Sequence, residues 1–183
     1  MKRLLLFVFL LLFLATSMLA QPGGKASSRG ASLDRLGATI QTDLENHGNR
    51  VLGHETYSWS TRLERFSGCR AEFSVRVTSN FGDNTVRVET VNFSLGALEP
   101  FSIELQKSWL QLPCAGREKC VFSTSTCSRK TKNGMITDCA TASQKRVESF
   151  LLQLDGDPAA AARLERVFRE AVNLCREPKT VTF

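Results

Sequence analysis

The chain reads as an α+β domain, in which a helix, a run of antiparallel strands and a closing helix follow one another. Three observations predict this. Apolar residues recur every three or four positions around Leu36 and again around Leu164, the period of a helix packed along one side. Between these stretches the period falls to two, most clearly where Cys69, Ala71, Phe73, Val75 and Val77 alternate with Arg70, Glu72, Ser74, Arg76 and Thr78. Clusters rich in Gly, Asn and Asp divide the alternating runs at short intervals, as in an antiparallel sheet. Helices that bracket such a run cover one face of its sheet.

The N-terminus is set apart from that domain. Lys2 and Arg3 precede an unbroken apolar run from Leu4 to Leu14, and small or neutral residues lead to Ala20. This order predicts a signal peptide over residues 1–20, cut after Ala20 or alternatively after Ser17. The apolar run is too short for a bilayer core that needs roughly 20 residues, so no membrane span is expected after cleavage. Gln21 to Gly30 is Gly- and Ser-rich, and residues 21–31 read as a flexible linker. Residues 32–178 form the single domain, with 179–183 as a tail.

Within the domain, Ser32 is a helix cap candidate, followed by the stripe Leu33, Leu36, Ile40 and Leu44. Gly37 weakens this helix and His47-Gly48-Asn49 ends it, with His47 suited to the helix dipole. A first strand places Tyr57, Trp59 and Leu63 on one face, with Ser58, Ser60 and Arg62 opposite. Gly68 turns the chain into the alternating strand already described. After the turn cluster Asn80 to Asn84 comes Val86 and Val88, then Val91, Phe93 and Leu95. That change of parity near Thr90 predicts a β-bulge or a break between two strands. Alternation resumes at Phe101, Ile103 and Leu105, and Trp109, Leu110 and Leu112 begin a short strand that stops at Pro113. Val121 to Cys127 and Met135 to Ala142 read as a hairpin with the tip Arg129 to Gly134. Val147 to Leu154 forms a last strand. Asp157 then caps a helix with Pro158 in its first position. Ala161, Leu164, Phe168, Ala171 and Cys175 share its apolar face, and Pro178 stops it.

The order of elements resembles pleckstrin-homology-like folds, in which a strongly curved sheet is plugged by the last helix. The chain is also similar to small exported bacterial domains of unknown function. That similarity rests on the Gly68-Cys69 strand, the β meander that follows it and the closing helix that ends in Leu174-Cys175. It implies no activity.

Six cysteines, an even number, in an exported chain predict a disulfide set. No Cys-x-x-Cys pair exists and both histidines lie far from the cysteines in sequence, which argues against zinc and against a redox dithiol. Local pairing joins Cys114 with Cys120 and Cys127 with Cys139. Cys69 and Cys175 remain, one on the apolar face of a strand and the other on that of the last helix. The alternative exchanges partners among the central four, as Cys114–Cys127 and Cys120–Cys139.

The full chain carries a formal charge of +6, which falls to +4 once Lys2 and Arg3 leave. A mixed surface of this kind carries no nucleic-acid signature. No catalytic or cofactor motif is present, and the chain is expected to be an exported non-enzymatic domain with a binding or structural role, in the periplasm or outside the cell. The candidate binding residues are Arg129, Lys130 and Lys132 at the hairpin tip, with Arg117 and Lys119 on the neighbouring loop. They would suit an acidic protein or an anionic cell-surface polymer. The basic loop 129–134 could equally arm a secreted inhibitor or effector. A small cell-envelope hydrolase using His54 with Ser58, Ser60 or a carboxylate is the alternative from a different class, although no Gly-x-Ser-x-Gly elbow supports it. Trp59 and Trp109 suit sheet packing, with an aromatic ligand platform as the alternative.

Overall fold

The computed structural model describes residues 24–52, 57–79, 84–106, 109–130 and 136–176. The expected signal peptide, residues 1–20, and the expected tail, 179–183, lie outside them. The chain divides between Ala31 and Ser32 into two compact units, and the fold described below is that of the second.

Helix α1 spans Gly24–His47. It therefore starts ahead of Ser32, within the segment expected to be a linker. Once a turn exists each added residue gains a hydrogen bond, and Lys25, Ala26 and Arg29 favour helix. The buried stripe nonetheless begins where the sequence places it, with Leu33, Leu36, Ile40 and Leu44 all buried. Gly37 has a packing reason, because a Cβ there would lie 2.7 Å from the Phe66 ring. At the end of α1, the Gly48 N–H donates to the Leu44 carbonyl and the Gly48 carbonyl accepts from the Thr61 N–H, both at 2.8 Å.

Nine strands follow among the described residues: β1 Asn49–Leu52, β2 Tyr57–Ser67, β3 Arg70–Ser79, β4 Asn84–Ser94, β5 Glu104–Gln106, β6 Trp109–Pro113, β7 Val121–Lys130, β8 Ile136–Val147 and β9 Ser149–Gln153. All pair antiparallel, in two sheets rather than one meander. The first has the order β1-β2-β3-β4-β7-β8 and the second β5-β6-β9. The excursion between β4 and β7 supplies β5 and β6, which β9 completes. Strand β1 is not foreseen from sequence. Its four residues pair with Tyr57 to Ser60 along the edge of the larger sheet.

Two local expectations are overturned. The parity change near Thr90 makes no bulge or break, since β4 pairs with β3 without a register shift from Thr85 to Ser94. Val86 and Val88 simply lie on the opposite face from Val91 and Phe93. The shift occurs instead in β2, between Leu63 and Arg65, and it turns both Leu63 and Phe66 toward the core. Phe101 is the second case. Pro100–Ser102 forms a 3-10 turn, so Phe101 stands 81% exposed while Ile103 is buried.

The core is centred on Phe73 of β3. Its ring lies 5.7 Å from Phe93 of β4, 5.3 Å from Phe150 of β9 and 6.3 Å from Phe168 of the closing helix. Both sheets and a helix thus meet at one side chain. That helix, α2, spans Pro158–Cys175, and the Asp157 side chain accepts from the backbone N–H groups of Ala159 and Ala160. Its predicted apolar face is buried throughout, joined by Ala160, Val167 and Val172.

Two predicted disulfides are present. Cys69–Cys175 ties the start of β3 to the end of α2 with Cα atoms 5.5 Å apart, and Cys114–Cys120 closes a short loop at 5.7 Å. These exclude the exchanged pairing among the central cysteines. Cys127 is also disulfide-bonded; its expected partner, Cys139, has a side chain outside the described residues.

Polar links complete the frame. Asp43, buried on α1, pairs with Arg163 of α2 at 2.6 Å. His47 Nδ1 lies 2.9 Å from the Asp155 carboxylate, in the turn leading to α2. Burial opposes ionisation of Asp155, but the Asp157 backbone N–H, His47 and Arg50 together hold its carboxyl below the ordinary carboxylate value. Arg176 donates to the Leu98 carbonyl and pairs with Glu99.

Candidate functional site

Alternation along the long strands leaves the larger sheet with one apolar face and one polar face. The inner face carries Ala71, Phe73, Val91, Phe93 and Val121. The outer face is built by the register. Arg65 pairs across to Glu72, Glu72 to Asn92, Asn92 to Phe122, and Phe122 to Arg146. One transverse row thus crosses five strands, a span of roughly 19 Å at ordinary strand spacing. Arg65 joins it because of the shift after Leu63, which brings position 65 opposite Glu72. The next row is Arg62, Ser74, Thr90, Thr124 and Gln144.

Two shallow depressions share Asn92 and Phe122 and lie on either side of them. One, of about 360 Å³, is also lined by Arg65, Arg70, Glu72 and Ser94. The other, of about 400 Å³, adds Thr124, Gln144, Lys145 and Arg146. Phe122 is 42% exposed, and the Arg146 guanidinium lies 4.4 Å over its ring, an arrangement that holds both side chains by a cation–π contact.

The electrostatic balance of this face is uneven. By register Arg62, Arg65, Arg70, Arg76 and Arg146 belong to it, against the carboxylate of Glu72, while Glu64, skipped at the shift in β2, reaches it through Ser74. Glu64 accepts from the Ser74 hydroxyl. Among the described residues none of the five arginines has a carboxylate within 4.0 Å. A guanidinium pairs bidentately with a carboxylate or phosphate, so this face suits an anionic ligand.

The residues expected at the hairpin tip are only partly described. Arg129 lies on β7, paired across to Thr85 and Thr137, and it is already engaged in an interaction. Lys119 is exposed in the loop before β7. Arg117 ends a 3-10 turn and Lys130 ends β7, but the side chains of both lie outside the described residues, as does Lys132 altogether. His54, the proposed hydrolytic base, also lies outside them. Ser58 and Ser60 are half-buried on β2. Other carboxylates have local partners: Glu89 accepts from Ser123 and faces Lys145 at 4.0 Å, and Glu104 accepts from Gln106. Among the described residues no group of three or more His, Cys, Asp or Glu could hold a metal ion, and no helix is long and apolar enough to cross a membrane.

The transverse row escaped the sequence reading. Its signal was present in the parity change between Leu63 and Phe66 and in the polar strand positions of β3, β4 and β7. Those positions read as ordinary solvated residues until the register aligns them. No protein-family model, curated protein or solved structure matches the chain.

Proposed function

We propose that the chain is an exported, non-enzymatic binding domain whose outer sheet face holds an anionic cell-surface polymer. The observation that carries this reading is the row Arg65–Glu72–Asn92–Phe122–Arg146. It offers cations at both ends, with a carboxylate, an amide and an aromatic ring between them, and further arginines alongside that outnumber the carboxylates of the face. A polymer with repeated acidic groups matches a linear array of this length better than a small anion. The amide and hydroxyls of the face can meet its neutral polar groups. Export is supported by the N-terminal order of charge, apolar run and small residues, and by disulfides, which persist in oxidising compartments.

The test uses the full chain on immobilised lipopolysaccharide and on immobilised polyphosphate. The triple variant Arg65→Ala, Arg70→Ala, Arg146→Ala should elute at lower salt than the parent. The slope of log affinity against log salt should shrink by roughly two to three units for three lost contacts. A second variant, Arg129→Ala, Lys130→Ala, Lys132→Ala, separates the sheet face from the hairpin tip. Retention lost only in the tip variant would transfer the binding role to the loop 129–134, and retention unchanged in the sheet variant would overturn the proposal.

A further inference from the structure

The smaller sheet carries a surface of different chemistry. Its register aligns Gln106, Trp109 and Gln153 in one row across β5, β6 and β9, and Glu104, Gln111 and Leu151 in the next. These are the positions that alternate with buried Leu110, Leu112, Leu152 and Phe150, so they form the sheet's outer face. Trp109 is 38% exposed. It does not stand loose, because its ring stacks on Trp59 of β2 with centroids 6.3 Å apart and planes 20° apart. Tyr57 meets Trp59 edge-on at 6.0 Å, and the Arg50 guanidinium lies 5.7 Å from the Trp59 ring centre. A buried tryptophan thus braces an exposed one.

Around Trp109 the polar groups are amides and a carboxylate. Gln106 Nε2 donates to Glu104 at 2.6 Å and to Gln111 at 3.2 Å, which fixes that amide beside the ring. Trp59 Nε1 is buried and has no acceptor among the described residues.

We infer that this face is a saccharide shelf, separate from the cationic face and independent of it. The occupant is a neutral pyranose chain. One sugar ring lays its C–H face on Trp109, while Gln106, Gln153 and Glu104 exchange hydrogen bonds with its hydroxyls. The chemistry favours this occupant over the others. An anionic group would meet the Glu104 carboxylate with no cation in either row. A purely apolar partner would strip water from the amides without replacing it. A sugar is apolar on its ring face and rich in hydroxyls at its rim, and the shelf has the same division.

The full chain contains two tryptophans, Trp59 and Trp109, so intrinsic fluorescence reports on the stack. Titration with cellohexaose and with chitohexaose should give a saturable change for at least one of them. Trp109→Ala should weaken that binding by about tenfold or more. Because losing the ring could loosen the stack, Gln106→Ala with Gln153→Ala tests the shelf with both tryptophans in place, and should weaken binding several-fold at unchanged near-UV circular dichroism. No saturable response to either sugar would overturn the inference, as would affinity unchanged in both variants. So would a proline-rich peptide that saturates the signal where the sugars do not.

Discussion

The Arg163 guanidinium grips the Asp43 carboxylate across the gap between α1 and α2. Nε reaches both carboxylate oxygens, at 3.0 and 2.9 Å, and Nη2 reaches Oδ1 at 2.6 Å. Asp43 is nearly sealed from water, with 6% of its side chain exposed. Arg163→Met leaves that carboxylate buried without a counter-charge. The cost of the stranded Asp43 should be about 2 kcal/mol, read from the urea midpoint. Adding Asp43→Leu should recover part of the loss, and no recovery would show that the pair is not the cause.

The two characterised bridges should differ in weight. Cys69 and Cys175 are 106 residues apart, and Cys114 and Cys120 only 6. Loop-closure entropy assigns roughly 4 to 5 kcal/mol to the long bridge and roughly 2 to the short one. Paired Cys→Ser variants, compared by urea unfolding, should follow that order. Equal losses would mean that local geometry, not chain closure, sets their contributions.

Gly37→Ala should destabilise the domain even though alanine improves helix propensity by about 1 kcal/mol. The added methyl falls 2.7 Å from Phe66 Cδ1 and 2.9 Å from Cγ, atoms close enough to the backbone that the ring cannot simply swing aside. A net loss of about 1 kcal/mol is expected. In a Phe66→Ala background, where only the Cβ contact at 3.2 Å remains, the same change should cost clearly less, and calorimetry of the four proteins closes the cycle.

Acid should act through Asp155. Its folded carboxyl titrates below the ordinary value of 3.8, so its contribution is complete above that value and drains away as pH falls through the folded pKa. The melting temperature should therefore drop below about pH 4, and Asp155→Asn should show a flatter decline over that range. A variant whose acid profile overlays the parent's would remove Asp155 from the account.

Much of the fold was legible because burial enforces period. The stripe from Leu33 to Leu44, the alternation from Ala71 to Phe73 and the Asp157-Pro158 start of α2 each follow directly from residue spacing. Two parity changes looked alike in sequence, Leu63 to Phe66 and Val88 to Val91, but had different causes. In β2 both flanking residues reach the core, so the chain must bulge. In β4 Val86 and Val88 lie beyond the main core, where the inner positions are Arg87 and Glu89, so the strand runs straight with its valines outside. Separation into two sheets was not legible, because pairing of β6 with β9 joins residues about 40 apart through the intervening β7–β8 hairpin. The transverse row has the same origin. Arg65 and Arg146 are distant in sequence and become members of one surface only through four successive strand pairings.

The Cys69–Cys175 bond also changes what a cut can do. It closes the segment between those residues into a covalent ring, which contains every described strand from β3 to β9 and all of α2. Proteolysis at one point inside that ring opens it without releasing a fragment, so the nicked protein keeps its full mass until a reductant is added. Cleavage between β1 and β2 instead leaves α1 and β1 on a piece with no covalent tie to the rest, held by strand pairing, the Asp43–Arg163 pair and packing. A single protease digest run with and without reductant would thus separate exposed loops within the ring from those outside it.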